Sequence, residues 1–237
     1  MIRRIAIAAA LALAVGDVAW AAPITAHYYP SPRYPGLVER LARQRLLENI
    51  AQRLQAFAIP AKALTLTLRD CGRPNAIFLG GSNEMRLCTE LLSQLVELNQ
   101  DMPTARARGL QGGGTLLFVA AHEYGHALIH QQRVPFLGRE EDAADQIATM
   151  LVLQDKAFSP PALAGAIRFF HREGNGSLGD VHSLDGQRRI NVACWAWGAK
   201  PSAFQELREL IPAGRRPHCR GEASRIVSTL SVLRSRR

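Results

Sequence analysis

The pattern His122-Glu123-Tyr124-Gly125-His126 directly follows the apolar run of residues 116–121. Such a run leading into the pattern predicts a buried helix. On a helix, positions i and i+4 share one face and lie about 6 Å apart along the axis, so the two imidazoles can converge on one ion. Burying two imidazoles and a carboxylate without partners would be costly. The sequence therefore predicts a buried, metal-binding helix.

A second acidic pattern follows within residues 139–154, which are also predicted to be helical. Neutral imidazole suits zinc, and a zinc site with two histidines needs a third protein ligand. We assign Glu141 to that position, with His122 and His126, for one Zn²⁺ per chain. Asp145, at i+4 from Glu141, is expected to accept a hydrogen bond from His122 and fix its tautomer. The alternative is an acidic first turn that stabilises its own helix dipole.

Glu123 lies beside the first histidine, where a carboxylate can act as general base on metal-activated water, as in metalloproteases. Gly125 is unfavourable in mid-helix by about 0.8–1 kcal/mol relative to alanine. A second backbone packed closely against it would explain the glycine. Ala143 and Ala144 are small enough to permit that approach.

Residues 1–21 have the three parts of a secretory signal peptide: Arg3 and Arg4, an apolar stretch, and small residues before a cleavage point after Ala21. An uncleaved anchor or a buried helix is the alternative, but no apolar run reaches the roughly 18 residues of a membrane span. We expect an exported protein, periplasmic or secreted, in which residues 22–237 form a single domain.

If the protein is exported, its four cysteines are expected to form disulfide bonds, because an even number of cysteines in an oxidising compartment favours pairing. Three pairings are possible, and four free buried thiols are the alternative. Pairing nearest neighbours, Cys71 with Cys88 and Cys194 with Cys219, closes two modest loops, each bridge contributing roughly 3 kcal/mol. The spacing matches no CxxC metal site.

The charge composition limits the classes of molecule that this chain is expected to bind. The chain has 29 Lys and Arg against 20 Asp and Glu, a net charge of +9. The basic residues are mostly scattered arginines without interleaved aromatics, which favours a solvated basic surface over a specific nucleic-acid interface. We therefore expect a peptide or protein substrate, no specific nucleic acid and no transmembrane span.

The apolar periodicity predicts an α+β fold, mainly helical with a small mixed sheet. Residues 23–36 are predicted as an extended arm and residues 108–114 as a loop. The other predicted elements are helices over residues 37–57, 115–131, 139–154, 159–172, 185–197 and 203–210, a helix with Thr89 as N-cap, a strand at 64–68, and a hairpin of 76–79 and 85–88.

The His-Glu-x-x-His pattern of residues 122–126 and the acidic pattern with Glu141 and Asp145 together resemble those of the gluzincin metallopeptidases. More narrowly, they resemble those of the metallopeptidases of the DUF4344 family. The similarity runs from about Cys71 to the C-terminus. Outside the metal segment it includes Asn75, Ala76, residues 88–91 and 182–185, Gln187, Arg188, Asn191, Cys194, Gly198, Arg216, Cys219 and Glu222.

The resemblance implies a secreted, zincin-like zinc peptidase with its sheet beside the active-site helix. In gluzincins a C-terminal His, Tyr or Arg donates to the developing oxyanion, a role that the resemblance offers to His182 or Arg188. The alternative for His182 is to cap and anchor a helix together with Asp185.

We predict a zinc-dependent metallopeptidase in which Glu123 is the general base and an extended peptide adds to an edge strand near residues 75–79. One alternative is a zinc-containing binding module for an acidic polymer that does not turn over, although such a binder would have no need of Glu123. Another is an amidase that acts on a cell-wall peptide.

Overall fold

The computed structural model describes residues 24–172 and 179–235, so the predicted signal peptide lies outside the described residues. Two short 3-10 helices, Gln205–Leu210 and Arg216–His218, precede the last helix. The remaining elements, in chain order, are β1 (Ile24–Tyr28), α1 (Leu37–Arg43), α2 (Leu46–Phe57), β2 (Leu64–Arg69), β3 (Ala76–Leu79), β4 (Glu84–Cys88), α3 (Thr89–Leu98), α4 (Ala105–Gln132), α5 (Glu140–Gln154), α6 (Ser159–Arg172), α7 (Asp185–Ala199) and α8 (Cys219–Ser235).

The four strands form one mixed sheet in the order β1-β2-β4-β3. β2 is parallel to both β1 and β4, and β3 pairs with β4 in the predicted antiparallel hairpin. Leu64, Leu66 and Leu68 of β2 are buried, as the alternating pattern predicts for a strand with one face on the core. β3 lies at one edge of the sheet and contacts α4.

Helix α4 carries the His-Glu pattern and packs against α3, α5, α6 and the sheet. The loop predicted over residues 108–114 is wrong, because this glycine-rich segment belongs to α4. A Cβ atom on Gly114 would lie 2.5 Å from the carbonyl carbon of Pro161. Glycine is therefore needed there for close contact with α6, a tertiary reason that local turn signals do not reveal.

Other helix boundaries also differ from the prediction. The helix predicted over residues 37–57 is two helices, because Arg45 adopts a left-handed conformation with φ of 54° and the N–H of Leu47 donates to the Tyr28 hydroxyl. Thr89 is the first residue of α3 rather than its N-cap, and its hydroxyl donates to Asp70. The last predicted helix is a 3-10 helix.

The α+β class is confirmed, mainly helical with a small mixed sheet beside α4. Two disulfides join nearest neighbours, Cys71 to Cys88 and Cys194 to Cys219. Disulfides of this kind are typical of an oxidising, extracellular environment. No helix among the described residues is both long and apolar enough to cross a membrane.

Candidate metal centre

The crossing of α4 and α5 places the two predicted metal-binding segments together. A Cβ atom on Gly125 would lie 3.0 Å from the Cα atom of Ala144, so the helix backbones are in close contact at this point. His122 and His126 flank Gly125 on α4, and Glu141 lies one turn before Ala144 on α5. Because neither contact residue carries a long side chain, the histidines and the carboxylate can meet.

Three side-chain atoms form a compact triangle at this crossing. Nε2 of His122 lies 3.2 Å from Nε2 of His126 and 3.1 Å from Oε2 of Glu141, and the latter two atoms are 3.4 Å apart. Zinc with bonds of 2.0–2.1 Å would separate tetrahedral ligand atoms by about 3.3–3.4 Å. The donor set and its spacing therefore fit a zinc ion.

Both histidines face acceptors through their other ring nitrogens. Nδ1 of His122 lies 2.8 Å from Asp145, and Nδ1 of His126 lies 2.8 Å from Glu140. A proton on Nδ1 leaves Nε2 as the metal-binding atom. Burial opposes protonation of His122, but hydrogen bonds to Asp145 and Glu141 raise its pKa to about 9. The site therefore favours positive charge at this position.

Asp145 is buried and has a second partner besides the histidine. Nε and Nη2 of Arg188 each donate to its carboxylate at 2.8 Å. Burial alone would raise the pKa of Asp145, yet Arg188 and then His122 hold it down at about 2. The Arg188 side chain also lies over the ring of Phe170, 4.2 Å from its centre. This ion pair keeps Asp145 charged and fixed behind His122.

Glu123 is only 8% exposed and lines both cavities that meet at the site. The charges of His122 and His126, and then the nearby backbone of Phe78 in β3, act to lower the pKa of this carboxyl group. Burial nevertheless raises the pKa of Glu123 above its ordinary value. A carboxyl group with a raised pKa is better suited to accepting and returning a proton near neutral pH.

His182 approaches the same carboxylate from the segment before α7. Its Nε2 lies 3.0 Å from Oε2 of Glu141, and its Nδ1 lies 3.1 Å from Asp180. His122, Glu141 and His182 thus form a candidate metal-binding group whose ligand atoms lie within 4.8 Å of one another. His182 is 41% exposed, so it lies at the rim of the site, whereas His122 is at its base.

The segment carrying His182 is tied to the first turn of α5. Arg139 donates to the backbone carbonyls of Asp180 and His182, at 3.3 and 2.8 Å. The Ser183 hydroxyl donates to Asp142 at 2.7 Å, and Ser183 is buried. Because Glu141 belongs to that same turn, His182 and Glu141 are held by one element.

A second group of possible ligands, Cys71, Cys88 and Glu90, has a structural role instead. Both sulfurs are joined in a disulfide. Glu90 accepts hydrogen bonds from the backbone N–H groups of Cys71 and Gly72, at 3.1 and 2.7 Å. This group therefore offers no thiolate to a metal.

Two cavities meet at the candidate centre and share Asn75, Ala76, His122, Glu123 and His182. The smaller cavity has a volume of about 380 Å³ and extends between α3, α4 and α6. The larger one, about 800 Å³, extends past His126 towards His130 and the start of α5. The edge strand β3 borders both, so an extended chain has room along it.

Every residue predicted for the site lies in this cluster: His122, Glu123, His126, Glu141, Asp145, His182 and Arg188. The sequence did not reveal Glu140 as the partner of His126, or Asp180 as the partner of His182. Glu140 was indistinguishable from an acidic helix start. For Asp180, its place two residues before a candidate histidine is a signal, although a weak one.

Fold and site together define a protein with a candidate metal centre on a buried His-Glu-x-x-His helix, completed by a carboxylate from the next helix. The sequence model of the DUF4344 family, described as "Putative metallopeptidase", matches residues 30–233. The chain belongs to this family, which confirms the resemblance inferred from its residues. Comparison with curated proteins and with solved structures found no match in either set.

Proposed function

We propose that this protein is an exported, zinc-dependent metallopeptidase. The observation that carries the proposal is the triangle of Nε2 of His122, Nε2 of His126 and Oε2 of Glu141, with sides of 3.1–3.4 Å, beside the buried carboxylate of Glu123. A zinc ion held by these three residues would polarise the peptide carbonyl and lower the pKa of water to about 7.

Glu123 takes a proton from the attacking water and passes it to the leaving amine. Glu123 and Ala76 of β3 line the same two cavities, so the carboxylate is close to the strand along which the substrate would lie. Burial raises the pKa of Glu123, which makes its carboxylate a stronger base towards the water.

His182 is the candidate donor to the oxyanion that develops on the carbonyl, a role in which its Nε2 would exchange Glu141 for the oxyanion. Asp180 faces its Nδ1 and Glu141 its Nε2, and hydrogen bonds to these carboxylates raise the pKa of His182, that from Glu141 most. A protonated imidazole at the rim is a donor, and one such donor lowers a barrier by about 3 kcal/mol. Arg188 supports the site from behind, since two of its nitrogens already bind Asp145.

The substrate binds as an extended peptide along β3. This strand lies at an edge of the sheet, and its first residue, Ala76, borders both cavities together with the preceding Asn75. An added strand gains backbone hydrogen bonds irrespective of its sequence, and the cavities receive its side chains. Export agrees with the two disulfides, which persist in oxidising compartments.

The test is metal content and peptide hydrolysis of purified protein, compared with Glu123→Gln, His126→Ala and Glu206→Gln. We expect about one zinc per chain in wild type and in Glu123→Gln, with hydrolysis by wild type but not by Glu123→Gln. His126→Ala should lose both zinc and activity, whereas Glu206→Gln, at an exposed position, should keep both. Full activity of Glu123→Gln would refute the mechanism. Zinc binding without hydrolysis of any peptide would favour a binding module.

A further inference from the structure

We propose that the segment between α4 and α5 docks this protein onto an anionic lipid surface, beside the mouth of the larger cavity. The docking surface has an apolar part, Phe136, Leu137 and Val181, and a basic part, Arg133 and Lys62. The protein lies on the surface and does not cross it. The inference does not depend on the proposed peptidase activity, because lipid binding is measured without a peptide substrate.

The apolar part contains the most exposed hydrophobic side chains of the molecule. Leu137 and Val181 are 103% and 67% exposed, more than any other large hydrophobic residue in the described part of the chain. Phe136, next to Leu137, is 40% exposed. Single apolar residues are ordinary on a protein surface, but a group of large ones marks a site of interaction. These three side chains therefore call for a partner that removes them from water.

Phe136 and Leu137 lie on a segment that is joined to the one carrying Val181. Nη1 of Arg139 donates to the two backbone carbonyls on either side of Val181, at 3.3 and 2.8 Å. Arg139 follows Leu137 by two residues, so the hydrogen bonds hold the two segments side by side. Arg139 and Val181 both line the larger cavity. The apolar part of the docking surface is therefore beside the mouth of that cavity.

The backbone is restrained on both sides of Phe136 and Leu137. Pro135 has a fixed φ, and Gly138 adopts a φ of 94°, in the left-handed region that favours glycine. Residues 135–139 are all exposed. A short segment that is restrained in this way loses little conformational entropy when its side chains enter another phase.

Basic side chains flank the base of this segment. Arg133 is exposed and is the C-cap of α4. The Gln131 side chain accepts a hydrogen bond from the backbone N–H of Lys62 at 3.0 Å, which places exposed Lys62 beside the same helix end. Neither Arg133 nor Lys62 has an acidic partner among the described residues. Their charges are therefore free to meet an anionic surface.

The acidic side chains at the cavity mouth do not cancel this charge. Glu140 and Asp180 lie 2.8 and 3.1 Å from Nδ1 of His126 and of His182. Both carboxylates thus already have partners within the site. The chain as a whole carries a net charge of +9, which attracts it to an anionic surface.

Apolar side chains between basic ones are the arrangement of an interfacial membrane contact. The apolar groups enter the boundary of the acyl chains, and the cations stay with the lipid phosphates. Burial of one leucine strengthens binding by about 10–100-fold, and each cation adds about fivefold. A standard protein–protein interface needs about 20–30 residues from each side, more than this narrow segment presents. A lipid surface is therefore the partner that fits best.

The experiment measures co-sedimentation of the purified protein with two kinds of vesicle. One kind contains phosphatidylethanolamine and phosphatidylglycerol, and the other contains neutral phosphatidylcholine alone. At about 0.1 M salt the protein should bind the anionic vesicles at least about tenfold more tightly, and this preference should decrease at about 0.5 M. No binding to the anionic vesicles, or equal binding to both kinds, would overturn the proposal.

Apolar variants locate the contact. Leu137→Asp should weaken binding to the anionic vesicles by at least about tenfold. Val181→Asp should weaken it as well, whereas Val96→Asp, at a 64% exposed position of α3, should have little effect. The two valines are almost equally exposed, so they control for the introduction of a carboxylate. Equal losses in Val181→Asp and Val96→Asp would refute this docking surface.

Charge reversal tests the basic part. Arg133→Glu should weaken binding to the anionic vesicles by about fivefold or more. The control is Arg106→Glu, an exposed arginine at the opposite end of α4, about 40 Å away along the helix. Both variants change the net charge equally. An equal loss in the two would show that overall charge, and not this surface, determines binding.

A tryptophan reports whether the segment enters the lipid. Phe136→Trp keeps a large aromatic side chain, so this variant should bind as wild type does, and its emission should shift to shorter wavelengths with vesicles. Val96→Trp should show no such shift. Binding without a shift in Phe136→Trp would refute insertion.

Peptide hydrolysis separates this inference from the proposed function. Leu137 lines neither cavity at the metal centre, so Leu137→Asp should keep its zinc and cleave soluble peptides at the wild-type rate. Loss of hydrolysis with unchanged vesicle binding would assign the segment to the substrate and overturn the lipid contact. Self-association that Leu137→Asp abolishes, without vesicle binding, would make the surface an interface between copies. Vesicle binding by a protein that cleaves no peptide would support docking and refute the peptidase.

Discussion

A Cβ atom on Gly125 would lie 3.0 Å from the Cα atom of Ala144. This contact holds the backbones of α4 and α5 close together beside the candidate metal centre, and it sets the distance between the histidines and Glu141. The helix accepts an unfavourable residue in its interior because the crossing requires it. The relationship links one residue type in the sequence to the geometry of three metal ligands.

We expect Gly125→Ala to weaken zinc binding by about tenfold or more, because the added methyl group pushes α5 away and Glu141 with it. Gly113→Ala is the matched control in the same helix, since a Cβ there meets nothing within 4 Å. It should raise the free energy of unfolding by about 0.8–1 kcal/mol. Zinc titration and denaturant unfolding measure both effects. Wild-type zinc affinity in Gly125→Ala would show that the helices adjust freely.

Asp145→Asn should lower both stability and zinc affinity. Removing one partner of a buried ion pair costs about 3–5 kcal/mol, because Arg188 would remain charged and buried. Loss of the carboxylate behind His122 should weaken zinc binding by about 10–100-fold. The matched control is Asp101→Asn, which alters an exposed aspartate paired with Arg168 and should cost about 1 kcal/mol or less. Equal stability losses in the two variants would contradict this account.

Asp142→Ala and Ser183→Ala should each reduce kcat by about 10–100-fold, because either one releases the segment that positions His182. The double variant should be no worse than the single ones, since both remove the same hydrogen bond. Zinc content should not change, and Ser202→Ala, at an exposed position, is the control. Additive losses of kcat in the double variant would show that the two residues act separately.

The protein should lose stability as pH falls below about 4.5. Burial opposes ionisation of Glu90, but hydrogen bonds from the N–H groups of Cys71 and Gly72 lower its pKa below 4.5. The pKa of Asp70 is likewise below 3.8, despite burial, through hydrogen bonds from Thr89 and Ser31. Because both folded-state pKa values lie below the unfolded ones, this stabilisation is complete above the unfolded values and disappears as the carboxylates are protonated.

Denaturant unfolding of wild type and Glu90→Gln at pH 7 and pH 3 measures this effect. At pH 7 the variant should be less stable by about 1.5–3 kcal/mol, the range for hydrogen bonds to a charged group. At pH 3 the gap should be smaller, because the carboxylate is then protonated in the unfolded chain, and the stabilisation that comes from its lowered folded-state pKa decreases as pH falls below 4.5. A gap that is the same at both pH values would exclude this explanation.

The candidate ligands could be predicted because a helix places residues four apart on one face, whatever surrounds it. His122 with His126, and Glu141 with Asp145, are pairs of this kind, and local spacing alone indicates them. Glu140 and Asp180 could not be predicted, since their roles depend on which ring nitrogen comes within reach after folding. The sequence offers Arg188 only as a donor to the oxyanion. Its pairing with Asp145 joins residues from two helices, so local spacing does not indicate it.

The same distinction applies to the fold. Periodicity in the sequence by itself determined that α4 is helical around its histidines, that β2 buries alternate leucines, and that β3 and β4 form a hairpin, since these features depend on near neighbours. Only the tertiary structure decided that residues 108–114 extend α4, because a side chain at Gly114 would collide with the backbone of Pro161 in α6. It also decided the break between α1 and α2 at Arg45, where the N–H of Leu47 donates to the Tyr28 hydroxyl. Contacts between residues far apart in the chain overrule local propensity at these points, and local patterns do not contain them.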